Sequence, residues 1–303
     1  MKRSHIIIGT RASKLAVIYA EKVRKKIKEF FQNDIELKKI ITSGDQNQKE
    51  RLSEIGGKGL FSTQIEKELI NKNIDIAVHA LKDMPTIETD NLLTNNFLKR
   101  NSPNEILVSN KNINFKDLKP HSIIGTSSYR REYQLKKIRS DLKYKLIRGN
   151  VDTRLKKLEN GEYDAIVLSK AGIESLNLQD KISQEFKTDE LIPCAGQGII
   201  AIQCRKEDEK IKELLDKIND KDARIIANAE REVLKVLEGD CDTAVGVYAS
   251  KNLDKIELTA ELFSVDGTTR YFMKETADTK SILDLSKKIG RELKLQSNGN
   301  YKN

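Results

Sequence analysis

The feature that most constrains the fold is an internal repeat. The tetrapeptide IIGT occurs at residues 7–10 and again at residues 123–126, each time within a short apolar run. Each copy is followed by a helical pattern and, further on, by a second apolar run directly after Asp75 or Asp164. Strands that alternate with helices predict βα units on a largely parallel sheet. The repeat therefore predicts two similar α/β lobes with a cleft between them.

The two lobes are expected to cover residues 1–99 and 100–198. The apolar run GIIAIQCR at residues 198–205 predicts a strand that crosses back into the first lobe, so residues 199–218 are assigned to that lobe. Ligands of α/β sheets bind beyond the carboxyl ends of the strands, where both Gly-Thr pairs lie. The cleft is therefore the predicted binding site.

The pattern changes at about residue 219. A helical pattern predicts a helix that ends at Gly239, the pair Asp266-Gly267 predicts the turn of a hairpin, and a closing helix follows. We therefore expect a small α+β domain with an antiparallel sheet over residues 219–303. Its polar tail at residues 297–303 is expected to be disordered.

The composition limits the class of partner. The length of 303 residues suits two or three domains. The net charge of +9 favours an acidic partner, which can be nucleic acid, a membrane surface or an anionic small molecule. However, lysines are spread along the whole chain, as expected of solvated helix faces. Aromatic residues make up only 5% and Trp is absent, which disfavours base stacking on nucleic acid.

The three cysteines, Cys194, Cys204 and Cys241, show no C-x-x-C spacing, so neither a disulfide framework nor a zinc site is indicated. Cys194 and Cys204 are predicted to be ordinary small buried residues. Cys241 lies between Asp240 and Asp242 in a polar turn, which favours a reactive or substituted thiol, although two aspartates by themselves raise a thiol pKa. With no secretion signal, membrane span or metal-ligand spacing, we predict a soluble, reduced, cytoplasmic protein without a metal.

Arginines and hydroxyl residues recur at the predicted carboxyl ends of strands. Helix N-termini offer free N–H groups there, and guanidinium and hydroxyl groups complete a carboxylate or phosphate site. Two facing lobes that both carry such helix N-termini, guanidinium groups and hydroxyl groups predict a cleft for a molecule that carries several anionic groups. The residues concerned are Arg11, Ser13, Thr126, Ser127, Ser128, Arg130, Arg131, Arg148 and Arg154.

Two further segments border the predicted cleft. GGKGLF at residues 56–61 lacks the spacing of a phosphate loop, so it is either a mobile lid with Lys58 able to reach the cleft or a plain flexible loop. VHALKDMP at residues 78–85 places Lys82 and Asp83 at the end of a buried strand. By itself, this aspartate also fits an ordinary turn before a proline, and we interpret His79 as a packed strand residue.

Taken together, these motifs resemble one family over residues 5 to about 248. The chain is similar to the porphobilinogen deaminase (hydroxymethylbilane synthase) family, whose motifs occur here in the same order. They are GTRASKLA, TSGD, GGKGLF, DIAVHALKDMP, GTSSYRRE, RGNVDTRLKKL, AGQG, AERE and EGDC.

The resemblance implies a fold and an activity. The fold is two doubly wound lobes like those of type II periplasmic binding proteins, with a third domain that carries the cofactor cysteine. The activity is that of a transferase that joins four porphobilinogen molecules head to tail, with loss of ammonia, and releases linear hydroxymethylbilane for porphyrin and heme synthesis. The implied partners are porphobilinogen and the growing polypyrrole, without nucleic acid or membrane, and the implied state is a cytoplasmic monomer.

The resemblance also implies roles for individual residues. Asp83 is the implied catalytic group, because a carboxylate stabilises the azafulvenium cation that forms when the amine leaves. The implied cofactor is dipyrromethane, held by a thioether to Cys241 and contacted by Lys82, Asp83, Thr126, Ser127, Ser128, Arg130, Arg131 and Arg154. The implied substrate-binding residues are Arg11, Ser13, Lys58, Phe61, Arg148 and Gln197.

The chain departs from the family pattern at four places. Asp240 replaces a glycine before the cysteine, the proline usual soon after the cysteine is absent from DTAVG, Ser175 stands where an arginine is frequent, and Tyr129 replaces a leucine. Two other functions are open to the residues themselves. A non-catalytic cytoplasmic anion-binding protein of the same fold predicts no covalent adduct, and a nucleic-acid-binding protein predicts strong salt dependence.

Overall fold

The computed structural model describes residues 5–46, 59–239 and 243–302, and its strands form three sheets. The strands are β1 His5–Arg11, β2 Asp34–Ile40, β3 Ile76–Ala80, β4 Leu92–Phe97, β5 Glu105–Ser109, β6 Ile123–Gly125, β7 Lys143–Lys145, β8 Ala165–Ser169, β9 Gln184–Phe186, β10 Ile200–Arg205, β11 Val245–Asn252, β12 Lys255–Phe263 and β13 Arg270–Asp278. The helices are α1 Lys14–Lys28, α2 Ser43–Gln46, α3 Thr63–Ile70, α4 Tyr129–Ile138, α5 Val151–Glu159, α6 Lys170–Ser175, α7 Glu209–Ile218, α8 Lys221–Leu237 and α9 Ile282–Ser297.

The two lobes have the same sheet topology. The first sheet has the order β2-β1-β3-β10-β4 and the second has the order β7-β6-β8-β5-β9. In both sheets three parallel strands are followed by one antiparallel strand, β10 or β5. β10 lies in the first sheet although it follows the second lobe in sequence. The two-lobe α/β architecture predicted from the repeat is therefore confirmed.

The repeated aspartates make the same contact in both lobes. The Asp75 carboxylate accepts a hydrogen bond from the Ile7 N–H at 2.9 Å, and the Asp164 carboxylate accepts one from the Ile123 N–H at 2.7 Å. The N–H of each aspartate in turn donates to the carbonyl of the same isoleucine. Each pair therefore fixes the start of one strand against its parallel neighbour, β3 against β1 in the first lobe and β8 against β6 in the second, which explains why the aspartates recur in the repeat.

Helix α1 shows why the segments after the IIGT turns are helical. The Ser13 hydroxyl caps its N-terminus by accepting a hydrogen bond from the Ala16 N–H. Apolar residues three or four positions apart then face the sheet, where they pack against β1, β3 and α7. The buried ones are Tyr19, Ala20, Val23 and Ile27.

The third domain packs α8 and α9 on the antiparallel sheet β11-β12-β13. The predicted hairpin turn at Asp266-Gly267 joins β12 to β13, whereas the sequence did not predict β11. Helix α8 ends at Leu237 instead of Gly239, and Glu238 takes the left-handed conformation after it. The disorder predicted for the C-terminal tail is wrong, because Tyr301 is buried and its hydroxyl donates to the Leu237 carbonyl at 3.0 Å.

A buried ion pair joins the third domain to both connections between the lobes. The Glu230 carboxylate, on α8, accepts from Arg100 at 2.6 Å and from the Gly196 N–H at 2.7 Å. Arg100 lies between β4 and β5, and Gly196 lies before β10, so the pair spans the two crossing segments. The same carboxylate accepts from the Ala249 N–H of β11 at 2.8 Å. Glu230 therefore fixes the point where the three parts of the fold meet.

Within the described ranges, the structure contains no helix with the length and hydropathy needed to cross a bilayer.

Candidate active site

Asp83 lies at the carboxyl end of β3, in a short 3₁₀ turn over Leu81–Asp83. Leu81 and Met84 point into the protein and are buried, so the two residues between them face the cleft. The Asp83 side chain is 31% exposed and contacts Arg11 Nη1 at 3.5 Å. The turn thus presents one carboxylate to the cleft beside Lys82, whose ammonium lies 3.4 Å from Gln197 Oε1.

Arg11 is held at the end of β1 by an ion pair and an aromatic ring. Its guanidinium lies 2.5 Å from Asp45 Oδ1 and 4.0 Å above the centre of the Phe61 ring. Burial favours the neutral form of Asp45, but hydrogen bonds from Arg11 and Thr42 outweigh this and lower the pKa of Asp45. Arg11 and Phe61 therefore approach the cleft as one pre-positioned unit.

On the second lobe, two arginines at the N-terminus of α4 share one buried carboxylate. Arg130 and Arg131 donate to the two oxygens of Glu105 at 2.6 and 2.7 Å. Burial favours the protonated form of Glu105, but Arg131 and Arg130 outweigh it and lower the pKa of Glu105 to about 2. One negative charge thus faces two positive charges, which leaves a net positive site. In addition, Arg131 Nε is buried and donates no hydrogen bond to the described residues.

Arg148 and Arg154 extend this positive cluster at the start of α5. Arg148 is buried, and Arg154 Nε donates to the Gly149 carbonyl at 2.8 Å. Burial lowers the pKa of Arg154 to about 10, and Arg131 and Arg148 add to the shift, whereas Asp83 opposes it. Mutual repulsion of this kind makes the binding of an anion favourable.

Two cavities meet at Asp83. The first, which we call the interlobe cavity, has a volume of about 340 Å³ and is lined from both lobes, by Arg11 and Asp83 on one side and Arg148 and Arg154 on the other. Its lining also includes Ser13, Ser127, Ser128 and Arg131.

The second cavity, which we call the third-domain cavity, has a volume of about 170 Å³. Leu60 and Ile87 line it from the first lobe, and Leu234 lines it from α8. Gly239 and Thr243, which follow α8, also belong to its lining. The two cavities share a set of lining residues, so they are neighbouring compartments of one site. The shared residues are Phe61, Lys82, Asp83, Ser128, Arg130 and Cys194.

Two of the predicted site residues lie behind the walls of these cavities. Thr126 is buried, and its hydroxyl accepts from the Ser128 N–H at 3.2 Å. Gln197 is also buried; its side chain donates to the Pro103 carbonyl at 2.7 Å and accepts from Lys82. In this conformation both residues support neighbours that line the cavities.

Some of the sequence predictions fall outside the described residues. Lys58 and Cys241 belong to this group, as does the departure at Asp240. The described residues on either side of the Cys241 segment are Gly239 and Thr243, and both line the third-domain cavity.

The structure corrects one prediction and supports two others. Cys194, predicted to be an ordinary buried residue, is only half-buried and lines both cavities. Its position beside the AGQG motif was the available signal. Cys204 is buried as predicted, and burial raises its pKa to about 11. His79 is a buried strand residue, and burial lowers its pKa to about 4.

Ser175, the departure from the frequent arginine, lies where the two lobes approach each other. Its hydroxyl accepts a hydrogen bond from Lys22 Nζ at 3.1 Å, across from α6 to α1. Sequence reasoning did not identify Lys22, because a lysine on an exposed helix face carries no distinguishing pattern. A positive charge thus reaches position 175 from the opposite lobe.

The arrangement has a defined chemical capacity. Six basic side chains from two lobes can bind a molecule with several carboxylates, while the Asp83 carboxylate can stabilise a positive charge that develops between them. The basic residues are Arg11, Lys82, Arg130, Arg131, Arg148 and Arg154.

Comparisons with known proteins show which family this chain resembles. The family model described as "Porphobilinogen deaminase, dipyromethane cofactor binding domain" matches residues 6–213, and the model described as "Porphobilinogen deaminase, C-terminal domain" matches residues 225–295. Porphobilinogen deaminase of Oceanobacillus iheyensis is 40% identical over 273 residues, which cover 89% of this chain and 88% of that protein. The Brevibacillus brevis protein of the same name is 39% identical over 96% of this chain and 94% of its own.

Among solved structures, substrate-binding domain 2 of Lactococcus lactis GlnP aligns with a TM-score of 0.45 at 12% identity. The alignment covers 74% of this chain and 89% of that one.

Proposed function

The chain belongs to the porphobilinogen deaminase family, enzymes of tetrapyrrole biosynthesis that use a dipyrromethane cofactor, and from this premise we propose which of its residues carry the reaction. The proposed activity is that of a hydroxymethylbilane synthase, a transferase that joins four porphobilinogen molecules into a linear tetrapyrrole and releases ammonia. The cytoplasmic location and the monomeric state stay predictions from the sequence.

We assign the covalent tether to Cys241. The support is the position of Gly239 and Thr243, which bracket the cysteine in sequence and line the third-domain cavity next to Asp83 and Lys82. Dipyrromethane carries several carboxylates, and the surroundings fit such a group: Lys82 and Arg130 bring positive charge to this cavity. Arg131 adds a third positive charge from the adjoining interlobe cavity, and its buried Nε has a hydrogen bond left to donate. When bound, dipyrromethane supplies the free pyrrole carbon to which the first substrate is joined.

The basic residues of the interlobe cavity bind the carboxylates of porphobilinogen and of the growing chain. Charge-assisted hydrogen bonds contribute about 1.5–3 kcal/mol each. Four arginines can therefore hold a flexible poly-acid whose pyrrole rings provide few polar contacts. We assign this role to Arg11, Arg131, Arg148 and Arg154, with the hydroxyl groups of Ser13, Ser127 and Ser128 alongside.

Asp83 is the proposed catalytic residue. When the amine of the aminomethyl group of porphobilinogen leaves as ammonia, the substrate becomes an azafulvenium cation. The carboxylate stabilises this positive charge, which is shared by the pyrrole N–H. In its acid form, Asp83 can also protonate the departing amine. A positioned acid or base contributes about 10²–10⁴ in rate, and stabilisation of developing charge adds to it.

One observation carries the proposal: Asp83 lies where the two cavities meet, with the flanks of Cys241 on one side and the arginine cluster on the other. A chain that starts at the cysteine and grows into the positive cavity would therefore react beside this carboxylate. A binding protein without catalysis has no need of either the cysteine or the isolated carboxylate.

Intact mass spectrometry of the denatured protein tests the tether. Protein from cells that make porphobilinogen should carry the added mass of two pyrrole units. Cys241→Ser should lose this addition, whereas Cys204→Ser, which changes a buried thiol away from the cavities, should keep it. A wild-type chain of unmodified mass from such cells would rule out the proposed tether.

Replacement of the carboxylate tests the catalytic role. We expect Asp83→Asn to lower kcat by about 10²–10⁴ while the variant still binds porphobilinogen, because the arginines are unchanged. Asp90→Asn, at an exposed position in the loop that follows, is the matched control and should keep its rate. If Asp83→Asn kept close to full rate in steady-state assays, the assignment of Asp83 would be wrong.

A further inference from the structure

The turn that carries Asp83 is backed by a helix of the third domain. Leu81 and Met84, on either side of the two cavity-facing residues, pack against Ala223 and Ala227 of α8. These alanines are four positions apart and so lie on one helix face. Small side chains there allow the helix to lie close to the turn, so the third domain forms the support on which the catalytic turn rests.

Four residues after Ala227, the same helix face carries Arg231. Its guanidinium donates to the Pro85 carbonyl at 2.5 Å and to the Met84 carbonyl at 3.4 Å. Burial lowers the pKa of Arg231, and the charge of Glu88 opposes the shift. A partly desolvated cation is costly unless its donors are used, and these two hydrogen bonds end on the carbonyl groups of the two residues that directly follow Asp83.

The Asp83 side chain itself is weakly held. Among the described residues, its hydrogen-bonding contact is the one to Arg11, at 3.5 Å, which is long for a hydrogen bond. The direction of the carboxylate is therefore set mainly by the backbone of the turn. That backbone is fixed by the packing of the Leu81 and Met84 side chains in the core and by the hydrogen bonds from Arg231 to the carbonyls that follow Asp83.

We propose that Arg231 is a positioning residue: it aims the Asp83 carboxylate at the reacting centre by holding the Met84 and Pro85 carbonyls from the third domain. This inference rests on the proposed role of Asp83. It adds a coupling between domains that the sequence does not reveal: the third domain, which would carry the tethered chain, also orients the catalytic group of the first lobe.

The role predicts a specific kinetic effect. Arg231 lines neither the interlobe cavity nor the third-domain cavity, so its loss should leave substrate binding unchanged. A displacement of the reacting group by about 1 Å can cost about 10²-fold in rate. We therefore expect a lower kcat with an unaltered KM.

The test compares Arg231→Met with Arg224→Met, a control on the same helix that removes a guanidinium for which the structure shows no hydrogen bond to either carbonyl. Arg231→Met should lower kcat by about 10- to 100-fold, with KM within about twofold and the dipyrromethane mass retained. Arg231→Lys keeps one donor and should recover part of the rate; it also serves if the methionine variant does not fold. Equal kcat values for Arg231→Met and Arg224→Met would overturn the inference.

A double-mutant cycle separates this inference from the proposed function. Asp83→Glu retains a carboxylate but displaces it, so Arg231→Met should lower kcat several-fold less in that background than in the wild type. If the two losses multiplied in full, Arg231 would act independently of Asp83 and the positioning role would be wrong. If instead Asp83→Asn kept full rate, the proposed function of Asp83 would fail first, and the inference with it.

Discussion

At the residue scale, burial decides which ionisable groups of the β3 segment can do chemistry. Asp83, at the end of the strand, keeps about a third of its side chain exposed and faces the cavities. His79, in the strand itself, is almost fully enclosed, and burial holds its pKa at about 4, well below its ordinary value of 6.5. The two residues belong to one motif, yet Asp83 lines both the interlobe cavity and the third-domain cavity and His79 lines neither.

The depressed pKa of His79 predicts a pH dependence of stability. Between pH 6.5 and 4 the unfolded chain binds a proton on this residue that the folded chain does not, so acidification through that window favours unfolding. The free energy of unfolding should fall by up to about 1.4 kcal/mol per pH unit on account of this group. The free energy of unfolding is measured by urea denaturation at several pH values. His79→Gln should reduce the slope of this free energy against pH, and His121→Asn, at an exposed site, should not. An unchanged slope in His79→Gln would contradict the burial argument.

At the element scale, the structure places strand ends and helix N-termini of both lobes around the same space. Ser13 caps α1 and Ser128 caps α4, so each helix begins at the interlobe cavity. Glu105, the first residue of β5, then anchors the first turn of α4 through Arg130 and Arg131. This carboxylate is therefore what holds two side-by-side guanidinium groups in place.

The shared carboxylate predicts a large loss of stability on its removal. Glu105→Gln would leave two buried guanidinium groups without a counter-charge, which costs about 3–5 kcal/mol. Glu185 lies on the neighbouring strand β9, and Glu185→Gln removes an exposed ion pair with Lys170, the first residue of α6, so it should cost less than about 1 kcal/mol. Guanidinium chloride denaturation compares the two variants. Equal losses would show that Glu105 is not the anchor of this helix.

At the scale of the whole molecule, two of the junctions between the three domains lie at Glu230 and at Tyr133. Glu230 binds both crossing segments between the lobes, as well as β11. On the second lobe, Tyr133 donates to the Val265 carbonyl at 2.8 Å, and Gly267 packs against its ring. A Cβ at Gly267, where φ is +72°, would lie 2.6 Å from that ring, so the turn needs glycine for both reasons.

The junction at Glu230 predicts coupled unfolding of the three domains. Glu230→Gln would leave Arg100 without its buried counter-charge and should destabilise the protein by about 3–5 kcal/mol. In calorimetry we expect the wild type to melt in one transition and the variant to show an earlier transition of the third domain. Glu257→Gln, which breaks the exposed pair with Lys274, is the matched control. A single transition at an unchanged Tm in Glu230→Gln would contradict this role.

Much of the candidate site could be predicted from the sequence, because local patterns recur where strands end. The repeated IIGT turns and the arginines beside them predicted two facing lobes, and Arg11, Arg148 and Arg154 indeed line one cavity. Predictions of which individual residues are buried were less successful. Cys194 lines the site although it was expected in the core, and Tyr301 is buried although its tail was expected to be disordered.

The sequence by itself determined the two-lobe α/β plan, because hydrophobic periodicity and turn residues act over a few neighbouring positions and can be read there. Only the tertiary structure decided that Glu105 pairs with two arginines, that Lys22 reaches Ser175, and that Arg231 supports the turn of Asp83. Each of these contacts joins residues far apart in the chain. Their pairing depends on how the packed domains bring backbone and charge together, which no local pattern encodes.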